Sequence, residues 1–316
     1  MMQKCKHSTI VWLGNLVLLG AMPALMGCGD GDAGSVQVFV EAEASITGGL
    51  AAGMGEEDIA DGWSVTYDEF LVTVGNVRAA RTDTMAALGD ASAFVMDLKQ
   101  VPAGGYVISK FDNAAAGQWY QFGFDMPAPT AETQVLAPTT EMQKAGLMSG
   151  GYSMLISGTL ENPSGKSCPP GDPDPAKCVA APKITFRWGL PAATSFDDCT
   201  TVDGTAGFAV PSGAGAQVAI TVHGDHWFFN NITAGAEIVK RYAQYIADCD
   251  LNHDGETTVD ELKQVPASSV FPSPQYNLSG SFSGPITTAY DYVLAQARTI
   301  GDYQGEGECP SRSVLP

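Results

Sequence analysis

From residue 36 to about residue 229 the chain alternates apolar and polar side chains at the two-residue period of half-buried strands. Val36, Val38 and Val40 form the first such run. Trp63, Val65 and Tyr67 alternate in one phase and Phe70, Val72 and Val74 in the other, so one extra residue, a bulge, is expected near Asp68 and Glu69. Similar runs predict strands over 94–98, 106–111, 119–124, 152–160, 184–190 and 218–229, separated at short intervals by Gly and Pro clusters, as in a sandwich. A short helix is predicted over 139–147. Beyond residue 234 the period changes. Ile238, Val239, Tyr242, Tyr245 and Ile246 share one helical face, and Val259, Leu262 and Val265 continue that spacing until Pro266 forbids another turn. A last helix is predicted over 287–300. The expected fold is mainly β: a β-sandwich body over 35–229, a helical C-terminal region over 234–309, and a tail over 310–316. Trp63, Trp119, Trp188 and Trp227 fall at strand spacing and read as core, not as a ligand groove. Met142, Met148 and Met154 are irregularly spaced and read as gap-fillers.

The strongest chemical signal lies between the two helical stretches that precede Pro266. Asp250, Asn252 and Asp254 offer side-chain oxygens at alternate positions, Gly255 follows where a sharp turn is needed, and Glu261 closes the segment with a carboxylate that can bind through both oxygens. Glu256 can contribute its backbone carbonyl and Thr258 its hydroxyl, directly or through water. Residue by residue the segment resembles the EF-hand family, which implies calcium as the bound ion and Asp250, Asn252, Asp254, Glu256, Thr258 and Glu261 as its ligands. An aliphatic residue that pairs with a second loop is usual in that family where Thr257 stands here, and no second loop of this pattern occurs in the sequence. A solitary loop packed on its host domain is expected, with the ion as a structural staple and affinity near about 10⁻⁴ to 10⁻³ M.

The first residues carry Lys4 and Lys6, an apolar stretch through Met26, and then Leu25-Met26-Gly27-Cys28. This is similar to a bacterial lipoprotein signal peptide, which implies removal of residues 1–27 and acylation of Cys28. Gly14, Asn15 and Pro23 argue against a membrane-spanning helix. Residues 28–34 read as a flexible tether. Glycine, not aspartate, follows Cys28, and by resemblance to sorting signals this points to the outer membrane rather than the inner. The lipid bilayer is thus one expected partner.

Loss of residues 1–27 removes Lys4 and Lys6 and no acid, which moves the formal charge from −19 to −21. Such a surface repels nucleic acid. An unidentified protein or glycan partner is the remaining expectation. Cysteine usage agrees with an oxidising compartment. Cys168 and Cys178 flank a Pro- and Gly-rich loop and are expected to close it as a disulfide; Cys199 is paired with Cys309, and Cys249 is left as a buried thiol.

His223-Gly224-Asp225-His226 is the other candidate constellation, since two imidazoles and a carboxylate could ligate zinc or copper. Within one strand, however, residues 223 and 226 face opposite sides unless the chain turns at Gly224, so a structural or hydrogen-bonding role is the favoured reading. There is no Gly-x-Ser-x-Gly elbow, no His-Glu-x-x-His and no phosphate loop. A glycosidase carboxylate pair has no fixed spacing and leaves no signature to find. In the segments 223–229, 246–262 and 299–309 the chain is similar to uncharacterised bacterial lipoproteins with a β-rich body, an EF-hand and an acidic, Cys-ended tail. A fainter similarity over 94–113 links it to periplasmic copper-binding proteins. The favoured reading is a lipid-anchored, calcium-binding cell-envelope protein acting as a binding or scaffolding module, with no catalytic motif to mark it as an enzyme; the alternative is a copper or zinc carrier, or a surface hydrolase, using His223 and His226.

Overall fold

The computed structural model describes residues 33–172, 174–232, 240–273, 275–279 and 284–313. The leader, Cys28, most of the tether, and Ile238 and Val239 lie outside the described residues.

The fold is mainly β, built on two principal sheets. A four-stranded sheet runs in the order Gly301–Tyr303, Gly215–Val222, Gly34–Ala42, Tyr106–Ala114. In it Gly34–Ala42 lies parallel to Gly215–Val222 and antiparallel to Tyr106–Ala114. The second sheet has nine strands organised on Ser64–Ala80, which is 17 residues long. Met154–Glu161 pairs with its first half, Gln121–Met126 with its second, and Ala87–Asp97 covers the opposite edge. The register of the first pairing shifts between Tyr67 and Glu69, which places the bulge at Asp68 and lets both apolar phases face the core. Val36, Val38, Val40, Trp63, Val65, Tyr67, Phe70, Val72 and Val74 are all at most 2% exposed and join one cluster. Trp119, Trp188 and Trp227 are in the same cluster, so the tryptophans are core.

The helix Glu141–Gly150 is capped at Thr140, whose side chain and that of Gln143 satisfy each other's backbone N–H groups. It ends at Gly151 in the left-handed conformation, φ 66°. Its Leu147 covers Leu71 and Val95. Met142 on the same helix is 84% exposed and fills no gap, unlike buried Met154.

Three expectations are corrected. The strand predicted over 218–229 stops at Val222, and His226–Phe228 is a single 3₁₀ turn. The reason is at Gly224: a Cβ there would come within 2.6 Å of Ile46 Cγ1, and its carbonyl receives the buried Tyr67 hydroxyl. The helix entering the acidic loop is confined to Gln244–Asp248. Tyr242 N–H bonds to Phe228 O at 2.8 Å and Ala60 N–H to Arg241 O at 2.9 Å, so the backbone before residue 243 is used laterally. Finally, the C-terminal region is not helical throughout. Glu256–Thr257, Gly301–Tyr303 and Ser311–Ser313 each add a strand to one of the two sheets, the last of these in the segment expected to be a tail.

Among the described residues two disulfides are present, Cys168–Cys178 and Cys199–Cys309, and Cys249 is a buried free thiol. Burial pushes that thiol's pKa well up, so it is not a reactive group at neutral pH.

Candidate metal centres

The acidic loop joins Gln244–Asp248 to a second short helix, Val259–Gln264, and both ends of the loop are buried. Asp250 is 2% exposed and Glu261 7%. Asp250 accepts the N–H groups of Asp254 at 3.2 Å and Gly255 at 3.0 Å, on its two separate oxygens. Gly255 adopts φ 84°, which a side chain would oppose. Asn252 Oδ1 accepts Asp254 N–H at 2.9 Å, and Asp254 Oδ1 accepts Glu256 N–H at 2.9 Å. Glu261 spans the loop: one oxygen accepts Leu251 N–H at 3.0 Å, the other Thr258 N–H at 2.9 Å. Thr258 in turn caps the second helix by accepting Glu261 N–H.

Thr257 is buried and pairs with the large sheet. Glu256–Thr257 lies parallel to Thr185 and Phe186 at the edge of the large sheet. Thr185 N–H donates to Gly255 O at 2.8 Å, and Trp188 Nε1 donates to Thr257 O at 2.8 Å. The threonine hydroxyl reaches back to Ile246 O at 2.7 Å. The loop is therefore tied laterally to the edge of the large sheet.

The turn at Gly224 creates a second centre, because it brings His223, Asp225 and His226 to one side. The two imidazole centroids are 5.3 Å apart. Residues distant in sequence complete the group. Glu43 follows the strand Gly34–Ala42, and its Oε2 lies 3.3 Å from His223 Nδ1. Asp302, on the neighbouring edge strand, places Oδ2 3.1 Å from His223 Nε2. Arg241 donates to Asp225 Oδ2 at 2.7 Å, to Glu57, and to Glu56 O, while its guanidinium sits 5.2 Å over the Phe229 ring. His226 Nδ1 is 2.7 Å from Thr299 Oγ1. Glu43, Arg241, Asp302 and Thr299 were not singled out in the sequence, and nothing local could have marked them.

These groups line a cavity of about 430 Å³. Burial alone depresses the basicity of His223, but Glu43 and the charges of Asp302 and Asp225 outweigh it and raise its pKa to about 10. Burial and the charge of His223 hold His226 well below its ordinary value, hence neutral at pH 7. Burial pushes Asp302 up to about 7, against the pull of His223. Burial likewise raises Asp225, and Glu43 adds to the effect while Arg241 opposes it. Two buried atoms here lack hydrogen-bond partners: Asp225 Oδ1 and, although Asp302 is near, His223 Nε2. Among the described residues, His, Cys, Asp and Glu ligand atoms gather in threes within 4.8 Å of one another in three overlapping sets, and all three lie at this centre. The carboxylates of the acidic loop are more widely spaced. A larger cavity of about 620 Å³ beside Arg78, Phe122 and Asp197 contains no unpartnered buried polar side chain. Its Arg78 is committed to Asp125, Asp197 and Ser195.

No family model, curated protein or solved structure matches the chain.

Proposed function

We propose that the protein is a calcium-binding, lipid-anchored protein of the cell envelope whose β-rich body serves as a binding or scaffolding module. One observation carries the calcium reading. Asp250 and Glu261 are buried at opposite ends of one loop, and among the described residues no Lys, Arg or His forms an ion pair with either. Buried carboxylates of like charge call for a compensating cation, and a hard, oxygen-seeking ion suits carboxylate, amide, carbonyl and hydroxyl donors together. The backbone bonds already made by Asp250, Asp254 and Glu261 fix their side chains, which lowers the entropy lost on binding. Filling the loop would couple the helix Gln244–Asp248, the helix Val259–Gln264 and the sheet edge at Thr185, which is the work of a structural ion.

The test is thermal or urea unfolding with chelator and with millimolar calcium. At about 100 times its dissociation constant, calcium should stabilise the wild type by roughly 2.7 kcal/mol if only the folded state binds. Glu261→Gln keeps the loop's shape but weakens the bidentate ligand, and it should lose most of that gain. An unchanged calcium response in the variant places any bound ion elsewhere, and no response in the wild type ends the proposal.

Anchoring is supported by Leu25-Met26-Gly27-Cys28 and the positive, apolar stretch before it. Cys28→Ser is expected to shift the protein from the membrane to the soluble fraction on cell fractionation, since the acyl chains supply the membrane affinity. Equal membrane retention of the variant contradicts the anchor.

A further inference from the structure

We propose that His223, Asp225 and His226 bind one divalent transition-metal ion of the zinc class, with a further coordination position open to the cavity. The inference is independent of the calcium loop and would stand if that reading failed.

His223 Nδ1 and Asp225 Oδ1 are 4.0 Å apart, a gap that two bonds of about 2.0–2.2 Å can span. Asp225 Oδ1 is fully buried and has no hydrogen-bond partner, whereas Oδ2 is held by Arg241. The carboxylate is therefore oriented by one oxygen and presents the other. His226 Nδ1 is occupied by Thr299, which leaves Nε2 as the ligand atom. All three residues offer atoms within 4.8 Å of one another.

The surroundings match what metal-bound histidines need. A ligating imidazole is normally oriented by a carboxylate or hydroxyl at its other nitrogen. Thr299 Oγ1 holds His226 Nδ1 at 2.7 Å, and Asp302 Oδ2 stands 3.1 Å from His223 Nε2. Charge favours the ion as well. Glu43, Asp225, Asp302, Glu306 and Glu308 face the cavity, against Arg241 and His223 as the cations. Glu43 Oε2 at 3.3 Å and Asp225 Oδ1 at 4.0 Å flank His223 Nδ1, so an ion bound there would sit between carboxylates. Two nitrogens and one carboxylate oxygen suit zinc-like ions better than calcium or magnesium, which take oxygen donors alone. His226 lines the cavity, so a small ligand could reach the ion.

The experiment uses the full chain, stripped with chelator and returned to excess calcium so that the acidic loop is filled throughout. Cobalt(II) is then titrated, with its visible absorption as the signal, followed by displacement with zinc. One equivalent of cobalt is expected, displaced by one of zinc. His226→Gln should weaken binding by more than about a hundredfold, His223→Gln similarly, and Thr299→Val less, by about 10–100-fold. Since His223 is buried, each variant's unfolding curve is recorded, and His226→Gln decides if His223→Gln does not fold. Absence of saturable cobalt or zinc binding in the wild type overturns the proposal, as does undiminished binding by folded His226→Gln.

Discussion

Replacing Arg241 by methionine is expected to destabilise the protein by about 3–5 kcal/mol, the usual cost of leaving one partner of a buried ion pair behind. Arg241 is 6% exposed and Asp225 fully buried, so water cannot substitute for the missing guanidinium. Glu43 sits nearby with the same sign of charge, which makes an unpaired Asp225 worse. The backbone ties lost with the side chain, to Glu56 O, remove an anchor for the loop 51–61 as well. Arg241→Lys retains a charge without the planar fork and should fall between the two. Adding Asp225→Asn to Arg241→Met should recover part of the loss, because it removes the stranded charge. Urea unfolding measures all three; a loss below about 1 kcal/mol for Arg241→Met would show that the pair is not a structural anchor.

Opening the Cys199–Cys309 disulfide is the second large effect. The bridge closes a loop with a sequence separation of 110 residues, for which chain entropy alone gives about 4.7 kcal/mol, with measured losses commonly in the range of about 2–5. The Cys168–Cys178 bridge spans only 10 residues and should contribute less. Paired Cys→Ser variants, compared by urea midpoint, should rank in that order. The longer bridge also fixes one wall of the cavity: Glu308 O accepts Thr200 N–H at 2.9 Å, and Tyr303 and Gly307 exchange backbone bonds. Equal midpoints for the two variants would mean that the tail is held by its strand pairing and not by the sulfurs.

What could be read from the sequence was what local chemistry determines. The alternation at Val36–Val40 and the phase change at Asp68 are consequences of neighbouring residues, and both are found in the strands. The acidic loop is equally local, because its donors lie within twelve successive positions. The strand over 218–229 was overextended because Phe228 and Phe229 are buried by a turn and not by pleating. The helix before the loop is shorter than its periodicity predicts because Arg241 bridges to Ile59 and Phe229 and Tyr242 N–H bonds to Phe228 O, a choice set by tertiary pairing. The histidine centre was half visible. His223, Asp225 and His226 stand side by side in the sequence, but the carboxylates and the arginine around them arrive from both ends of the chain.

The parallel pairing of Gly34–Ala42 with Gly215–Val222 has a consequence for how the molecule is made. Synthesis delivers the first strand early, yet its parallel neighbour arrives only after most of the chain, and the edge strand Gly301–Tyr303 later still. Until then the early strand has an open row of N–H and C=O groups along one side. Such long-range closure is slow, and an unpaired edge can recruit the wrong partner in the meantime. The four-stranded sheet thus closes only after residue 303 has been made, and a ribosome that stalls before residue 215 leaves a product that cannot mature.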